Sequence, residues 1–297
     1  FLEQLHFDKE DIDYLRSKNQ FSEEFLQYLA DFKFECDVYA VEEGTPVFPN
    51  EPLVTVKGPA IQAQLLETML LLTINHQSLI ATKANRIVRA AQGRPVFEFG
   101  SRRAQGSNAA ILGARAAFVG GCAGTACACC EQLYGIPAVG TMAHSWIQMY
   151  DTELEAFEAY ARYYPDNCIL LVDTYNVVKS GIPNAIKAYE NVLKPLGKRL
   201  KGIRIDSGDI TYLTKKVRKM LDEAGLEDCT IFISNSLDEY IIRDILLQGA
   251  QINSFGVGER LITSKSEPFR RPFRRLQTCC DRKGRRIRSE DQTFGER

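Results

Sequence analysis

The sequence predicts an α/β fold built on a parallel sheet, with a barrel-like βα array favoured and an open doubly wound sheet as runner-up. Three observations predict it. From about Pro95, short strand-like runs alternate with amphipathic helical patterns. The later runs recur at roughly the 30-residue spacing of one βαβ unit. The runs are apolar almost throughout, as strands buried on both faces are.

Before that array the texture differs. "DKEDIDYLRS" and "SEEFLQYLADF" place apolar residues at helical spacing, and Ser22 is set to cap the second helix. "CDVYAVEEGTPVFPNEPLVTVKGP" then reads as two strands around a "PNEP" turn, a small β element. Pro59 opens a long helix through about Arg89, as proline does in a first turn. Within it "LLETMLLLTI", residues 65 to 74, reads as buried helix; it contains Glu67 and is too short to span a bilayer.

The strand-like runs of the array are "PVFEFG", "IPAVGT", "CILLVD", "GIRID", "CTIFIS" and "INSFGVG". Between them, "TELEAFEAYARYY" opens with the capping-box pair Thr152 and Glu155 and is stopped by Pro165. "NAIKAYENVLKPLG", "DITYLTKKVRKMLDEAG" and "DEYIIRDILLQGA" read as further helices. "GCAGTACACCEQ" reads as a closely packed small-residue helix, because its cysteine spacing does not suit a zinc site.

Composition narrows the function. The 297 residues carry 37 Lys+Arg and 38 Asp+Glu, a net charge of -1, so neither nucleic acid nor a membrane is expected as partner. Nine cysteines in a chain this long are no disulfide scaffold; Cys36, Cys122, Cys127, Cys168 and Cys229 lie in or beside apolar runs, as reduced buried thiols do. The expected compartment is the cytoplasm. The chain opens on "FLEQLHF" without Met, and an N-terminal truncation is expected.

The strand ends carry the polar residues of interest. "FEFG" is followed by Arg102 and Arg103, and "IPAVGT" ends in Thr141 and leads to His144. "CILLVD" ends in Asp173, and "GIRID" carries Arg204 and Asp206, with Ser207 next. "TIFIS" leads to Asn235, and "INSFGVG" supplies Gly256 and Gly258. In a parallel βα array these positions gather at the carboxyl ends of the strands, where such folds bind ligands. Taken singly, Asp173 reads equally as a helix cap, the arginines as surface residues and His144 as a structural histidine. Together they suit an anionic, phosphorylated substrate with Mg²⁺: arginine recognises anions in bidentate fashion, and glycine-flanked N–H groups cradle phosphate.

"FGSRRAQG", "GTMAHSW", "LLVDTYN", "GIRIDSGD", "FISNSLDEY" and "FGVGERLITS" occur in this order and resemble nicotinate phosphoribosyltransferase over about residues 1 to 268. The resemblance implies an irregular βα barrel of the type II phosphoribosyltransferase kind, residues 95–268, with a smaller α/β domain. Residues 1–60 would form part of that smaller domain and 61–94 a connecting helix. It implies transfer of phosphoribosyl from phosphoribosyl pyrophosphate to nicotinate, coupled to ATP hydrolysis through a phosphohistidine, with Mg²⁺, in a homodimer serving NAD salvage. His144 would carry the phosphate. Thr141 and Arg204 would meet nicotinate, with Arg102 in the same pocket or on the diphosphate and Arg103 beside it. Asp173 and Asp206 would hold ribose hydroxyls and Mg²⁺, Asp206 being catalytic. Asn235, Gly256 and Gly258 would hold the 5-phosphate, and Ser207 would also bind substrate. Nicotinamide as the base, and a catalytically silent fragment, are the alternative readings.

The tail departs from the family. Shifting a coding string for "RLQTCCDRK" by one nucleotide spells Val-Tyr-Lys-Leu-Val-Ala-Ile-Glu, the strand the family has here. Residues 269–297 are therefore expected to be a frameshifted, basic, poorly packed segment.

Overall fold

A computed structural model describes residues 2–265; the predicted aberrant tail lies outside the described residues. These residues divide into two compact units, 2–73 and 74–265.

In the first unit, helices α1 (Lys9–Ser17) and α2 (Glu23–Ala30) pack Ile12 against Leu26 and Leu29. Asp8 and Asp11 close a capping box on α1, and the Ser22 hydroxyl accepts the Phe25 N–H at the start of α2. Strands β1 (Asp37–Ala40) and β2 (Val54–Lys57) form the antiparallel ribbon expected around "PNEP". Helix α3 (Ala60–Ala90) follows Pro59 and runs from this unit into the next. One expectation fails here: residues 65 to 74 are helical but not buried, since Leu65, Met69 and Leu72 are exposed and only Leu66 is enclosed.

The second unit is built on β3 (Val96–Glu98), β4 (Gly124–Thr125), β5 (Ile169–Leu171), β6 (Gly202–Ile205), β7 (Thr230–Ile233) and β8 (Ser254–Val257). All pairings are parallel, in the order β4-β3-β8-β7-β6-β5. A single parallel bridge from Thr125 to Ala138 continues the sequence of neighbours beyond β4. The order is thus the cyclic chain order of a barrel, with β8 returning to β3 and one seam left between the Ala138 segment and β5. The favoured barrel reading is the observed one, in its irregular form. Leu170, Ile203, Ile205, Ile231, Ile233, Phe255 and Val257 share one buried core with helix residues such as Val217, Leu221 and Ile242.

Around the sheet lie α4 (Ser107–Val119), α5 (Ala128–Tyr134), α6 (His144–Gln148), α7 (Glu153–Tyr163), α8 (Ile182–Ala188), α9 (Ile210–Glu223), α10 (Glu239–Leu247) and α11 (Glu259–Ile262). The Thr152–Glu155 capping box forms, and α7 ends two residues before Pro165.

Three readings need correction. "IPAVGT" is not a full strand: Pro137 has no N–H to give, and pairing stops at Pro137 and Val139 on either side of Ala138. "GCAGTACACCEQ" is not one helix: β4 occupies its middle, where Gly124 lets the Pro137 carbonyl approach, and α5 starts only at Ala128. Cys127 is accordingly half-buried rather than enclosed, while Cys36, Cys122, Cys168 and Cys229 are buried thiols. "NAIKAYENVLKPLG" is not one α-helix: α8 ends at Ala188 and a π-type turn follows at Tyr189–Leu193, while another, Val177–Gly181, precedes α8 and the stretch itself. Pro183 and Pro195 each lack an N–H and crowd the carbonyl one turn earlier, which widens the preceding turn.

Candidate active site

The site grows from buried polar residues that pin the loops leaving the strands. Glu98, fully buried at the end of β3, accepts the Gly100 N–H on one oxygen and the Thr125 hydroxyl, at 2.7 Å, on the other. Thr125 accepts the Cys127 N–H at 3.0 Å. One carboxylate thereby fixes both the turn Ser101–Arg103 after β3 and the turn after β4. Burial pushes the Glu98 carboxyl above the usual carboxylate range, against the pull of its two donors.

Asp173 plays the equivalent part after β5. Its Oδ2 accepts the Asp206 N–H at 2.8 Å and the Ser207 hydroxyl at 2.6 Å, so it holds the loop from β6 to α9. Its Oδ1 is buried and has no hydrogen-bond partner among the described residues.

Arg204 projects from β6 with 16% of its side chain exposed. Nε donates to the Ser234 hydroxyl at 2.6 Å and Nη1 to the Thr141 hydroxyl at 2.9 Å; Nη2 lies 3.6 Å from Asp206. Its guanidinium stands 5.6 Å from the Phe99 ring and 6.0 Å from the Phe232 ring. Ser234 also donates to Asp206 Oδ1 at 2.7 Å, so Ser234 joins cation to carboxylate. Burial lowers the Arg204 pKa; Asp206 and Asp173 oppose this, and nearby Arg102 adds to it.

These residues open on a cavity of about 480 Å³. It gathers Arg102, Arg103, Thr141, Arg204, Asp206, Asn235 and Gly258 from the predicted set. Asp173 and Ser207 line a neighbouring cavity of about 390 Å³ instead. Gly256 lies within β8 and lines neither; a Cβ there would stand 2.8 Å from the Phe232 ring and 2.9 Å from that of Phe99. Its part in this structure is to admit the two rings beneath Arg204. His144, first residue of α6, is not among the lining residues of either cavity: Nδ1 is 3.0 Å from the Thr174 hydroxyl and Nε2 3.7 Å from Asp206.

Sequence reasoning missed Ser234, Phe99, Phe232 and Arg260 among the residues that shape the cavity, and Glu98 beneath it. Glu98 is the last residue of β3, Phe99 and Ser234 directly follow β3 and β7, Phe232 lies within β7 and Arg260 within α11. Only the alternation of inward and outward positions along each strand could have singled out those on or beside the strands.

Among the described residues no group of three or more His, Cys, Asp or Glu is arranged as a metal cage. The donor set nevertheless suits Mg²⁺ shared with a ligand. Asp206 is partly exposed on the cavity wall, and magnesium is commonly held by one or two carboxylates plus substrate phosphates and water. Asp173 does not face the main cavity.

Residues 1–75 match the nicotinate phosphoribosyltransferase N-terminal domain, and residues 95–269 the nicotinate phosphoribosyltransferase family. The chain is 47% identical over 270 residues to a nicotinate phosphoribosyltransferase of Mycobacterium tuberculosis, covering 90% of this chain and 57% of the relative. It is 44% identical to that of Bacillus subtilis, covering 90% of this chain and 54% of the relative. The crystal structure of human nicotinic acid phosphoribosyltransferase superposes with a TM-score of 0.80 at 29% identity, over 87% of this chain and 63% of the human one. That of nicotinate-nucleotide pyrophosphorylase from Pyrococcus furiosus superposes at 0.67 and 32% identity, over 77% of this chain and 58% of that one. The chain therefore spans somewhat over half the length of the curated relatives it matches. With both of its units matched in order, and with the strand-end residues converging on one cavity, the chain belongs to the nicotinate phosphoribosyltransferase family.

Proposed function

We propose that the cavity binds nicotinate and phosphoribosyl pyrophosphate and that the protein forms nicotinate mononucleotide and pyrophosphate. The observation that carries this is Arg204, a largely desolvated guanidinium fixed by Ser234 and Thr141 over two aromatic rings. A carboxylate against it would add to the compensation that Asp206 and Asp173 give against burial, and the ring of the same ligand would lie among Phe99 and its neighbours. An amide in place of the carboxylate leaves the arginine underpaired, which selects acid over amide.

Attack by the pyridine nitrogen on the ribose carbon expels pyrophosphate and develops positive charge on the sugar. Asp206 stands ready to stabilise that charge, its orientation set beforehand by Ser234 and by its own backbone bond to Asp173. Arg102 and Arg103 supply cations for the leaving diphosphate. Bound Mg²⁺ would neutralise that group, with Asp206 and the phosphate oxygens as ligands. ATP is proposed as the co-substrate that phosphorylates His144. With Nδ1–H donating to Thr174, the Nε2 lone pair would be free to attack. A cytoplasmic homodimer is the proposed working form of the whole protein.

The test is turnover of nicotinate and of nicotinamide, side by side, with phosphoribosyl pyrophosphate, ATP and Mg²⁺, by a version extended to the relatives' length. Nicotinate mononucleotide should accumulate, and Arg204→Ala should raise the KM for nicotinate far more than that for phosphoribosyl pyrophosphate. Losing one partner of a desolvated charge pair costs about 2–5 kcal/mol. Preferred use of nicotinamide would overturn the reading.

A further inference from the structure

Arg260 comes two residues after Gly258, within α11, and lines the main cavity beside Asn235 and Ser236. Its Nη1 donates to Asp238 Oδ2, the one hydrogen bond of its guanidinium among the described residues. Asp238 is 4% exposed and uses both oxygens: Oδ1 caps α10, accepting the N–H groups of Tyr240 at 3.1 Å and Ile241 at 2.9 Å, and Oδ2 takes Arg260. Beside it, the fully buried Lys83 pairs with Glu239 at 2.6 Å. Burial alone would raise the Asp238 pKa; the Ile241 N–H, Arg260 and Lys83 outweigh it and hold the carboxyl below the usual range.

The pair is therefore lopsided. Asp238 is buried with both oxygens engaged, whereas Arg260 has spent one of its five N–H bonds and is 30% exposed. Among the described residues, the cavity it lines holds Arg102, Arg103, Arg204, Arg260 and Lys265 against Asp206 and Glu259. Arg204 is engaged with Asp206, and Arg103 lies 3.7 Å from Glu259. A guanidinium tethered on one side, with an open fork toward a cationic cavity, suits a tetrahedral oxyanion.

We propose that Arg260 is an anion-binding residue of this cavity, oriented by Asp238, and that its ligand is a phosphoryl group of the substrate. This deepens the functional reading above and rests on it. Asp238 acts through Arg260 and is a positioning residue. The phosphoryl group is either the terminal phosphate of the sugar or the departing diphosphate, and separate probes distinguish the two.

The experiment is calorimetric titration of the whole chain with inorganic pyrophosphate, ribose 5-phosphate and nicotinate in parallel. Arg260→Met should weaken pyrophosphate or ribose 5-phosphate about tenfold or more and leave nicotinate unchanged. The weakened probe identifies the group bound. Arg260→Lys, which keeps the charge but not the fork, should recover part of the loss. Asp238→Asn should weaken the same probe, and adding it to Arg260→Met should cost nothing further, because it acts through that side chain. Unchanged binding of both phosphorylated probes to Arg260→Met, or an equal loss of nicotinate, overturns the proposal. If the unaltered chain binds nicotinate but neither phosphorylated probe, the Arg260 inference falls and the nicotinate reading stands. If it binds none of the three, both fall.

Discussion

At the residue scale, the site is a set of polar side chains each held by a neighbour from another strand. Ser234 shows why some members were hidden. In the sequence it is an ordinary serine in "FISNS"; in the fold the pairing of β6 with β7 sets it beside Arg204, where it both accepts and donates. Nothing short of the strand register announces that. Arg204, Asp206 and Thr141 were legible because their motifs mark them and strand ends gather ligands in this architecture. His144 was legible from "GTMAHSW", and its placement between Thr174 and Asp206 is compatible with the phosphoryl-carrying part proposed for it. His144→Ala is accordingly expected to abolish ATP hydrolysis while slow phosphoribosyl transfer persists. Labelling with radioactive ATP should leave acid-labile phosphate on the unaltered protein and none on the variant; equal labelling of both would exclude His144 as the carrier.

At the element scale, the strands and most helices were readable because short apolar runs and 3.6-residue periodicity are local signals. The breaks were not. The π-type turns flanking α8 arise where Pro183 and Pro195 disturb the turn before them, and β4 depends on contacts with β3 and the Pro137 carbonyl rather than on its own two residues. Helix α10 illustrates how a cap can tie elements together. Asp238 caps it, receives Arg260 from α11 and lies in the field of Lys83 from α3. Because its folded-state pKa is depressed, Asp238 contributes stability that is present above the unfolded carboxylate value of about 3.9 and is lost as pH falls through the folded value. Asp238→Asn should therefore lower the urea midpoint at pH 7, by roughly 1–3 kcal/mol of stability, with the gap to the unaltered protein narrowing toward pH 3. A gap that stays constant across that range would show that the charge of Asp238 contributes nothing.

At the scale of the whole molecule, neighbouring strands keep chain order around the sheet, leaving a seam between the Ala138 segment and β5. Backbone pairing is missing there, and side chains cross it: His144 reaches Thr174, and Arg204 reaches Thr141. The barrel could be read from the βα rhythm, but the seam could not, because it arises from Pro137 cutting one strand to a single bridge. Across the seam, His144 stands 3.0 Å from Thr174 while Thr141 accepts from Arg204, and Arg204 is the group on which the account turns. The most direct test is the ratio of nicotinate to nicotinamide affinity, measured calorimetrically on the unaltered chain and on Arg204→Ala. The account predicts that the chain prefers nicotinate by about tenfold or more and that the variant loses most of this preference. Equal affinity for acid and amide, or a preference that survives loss of the arginine, would contradict it.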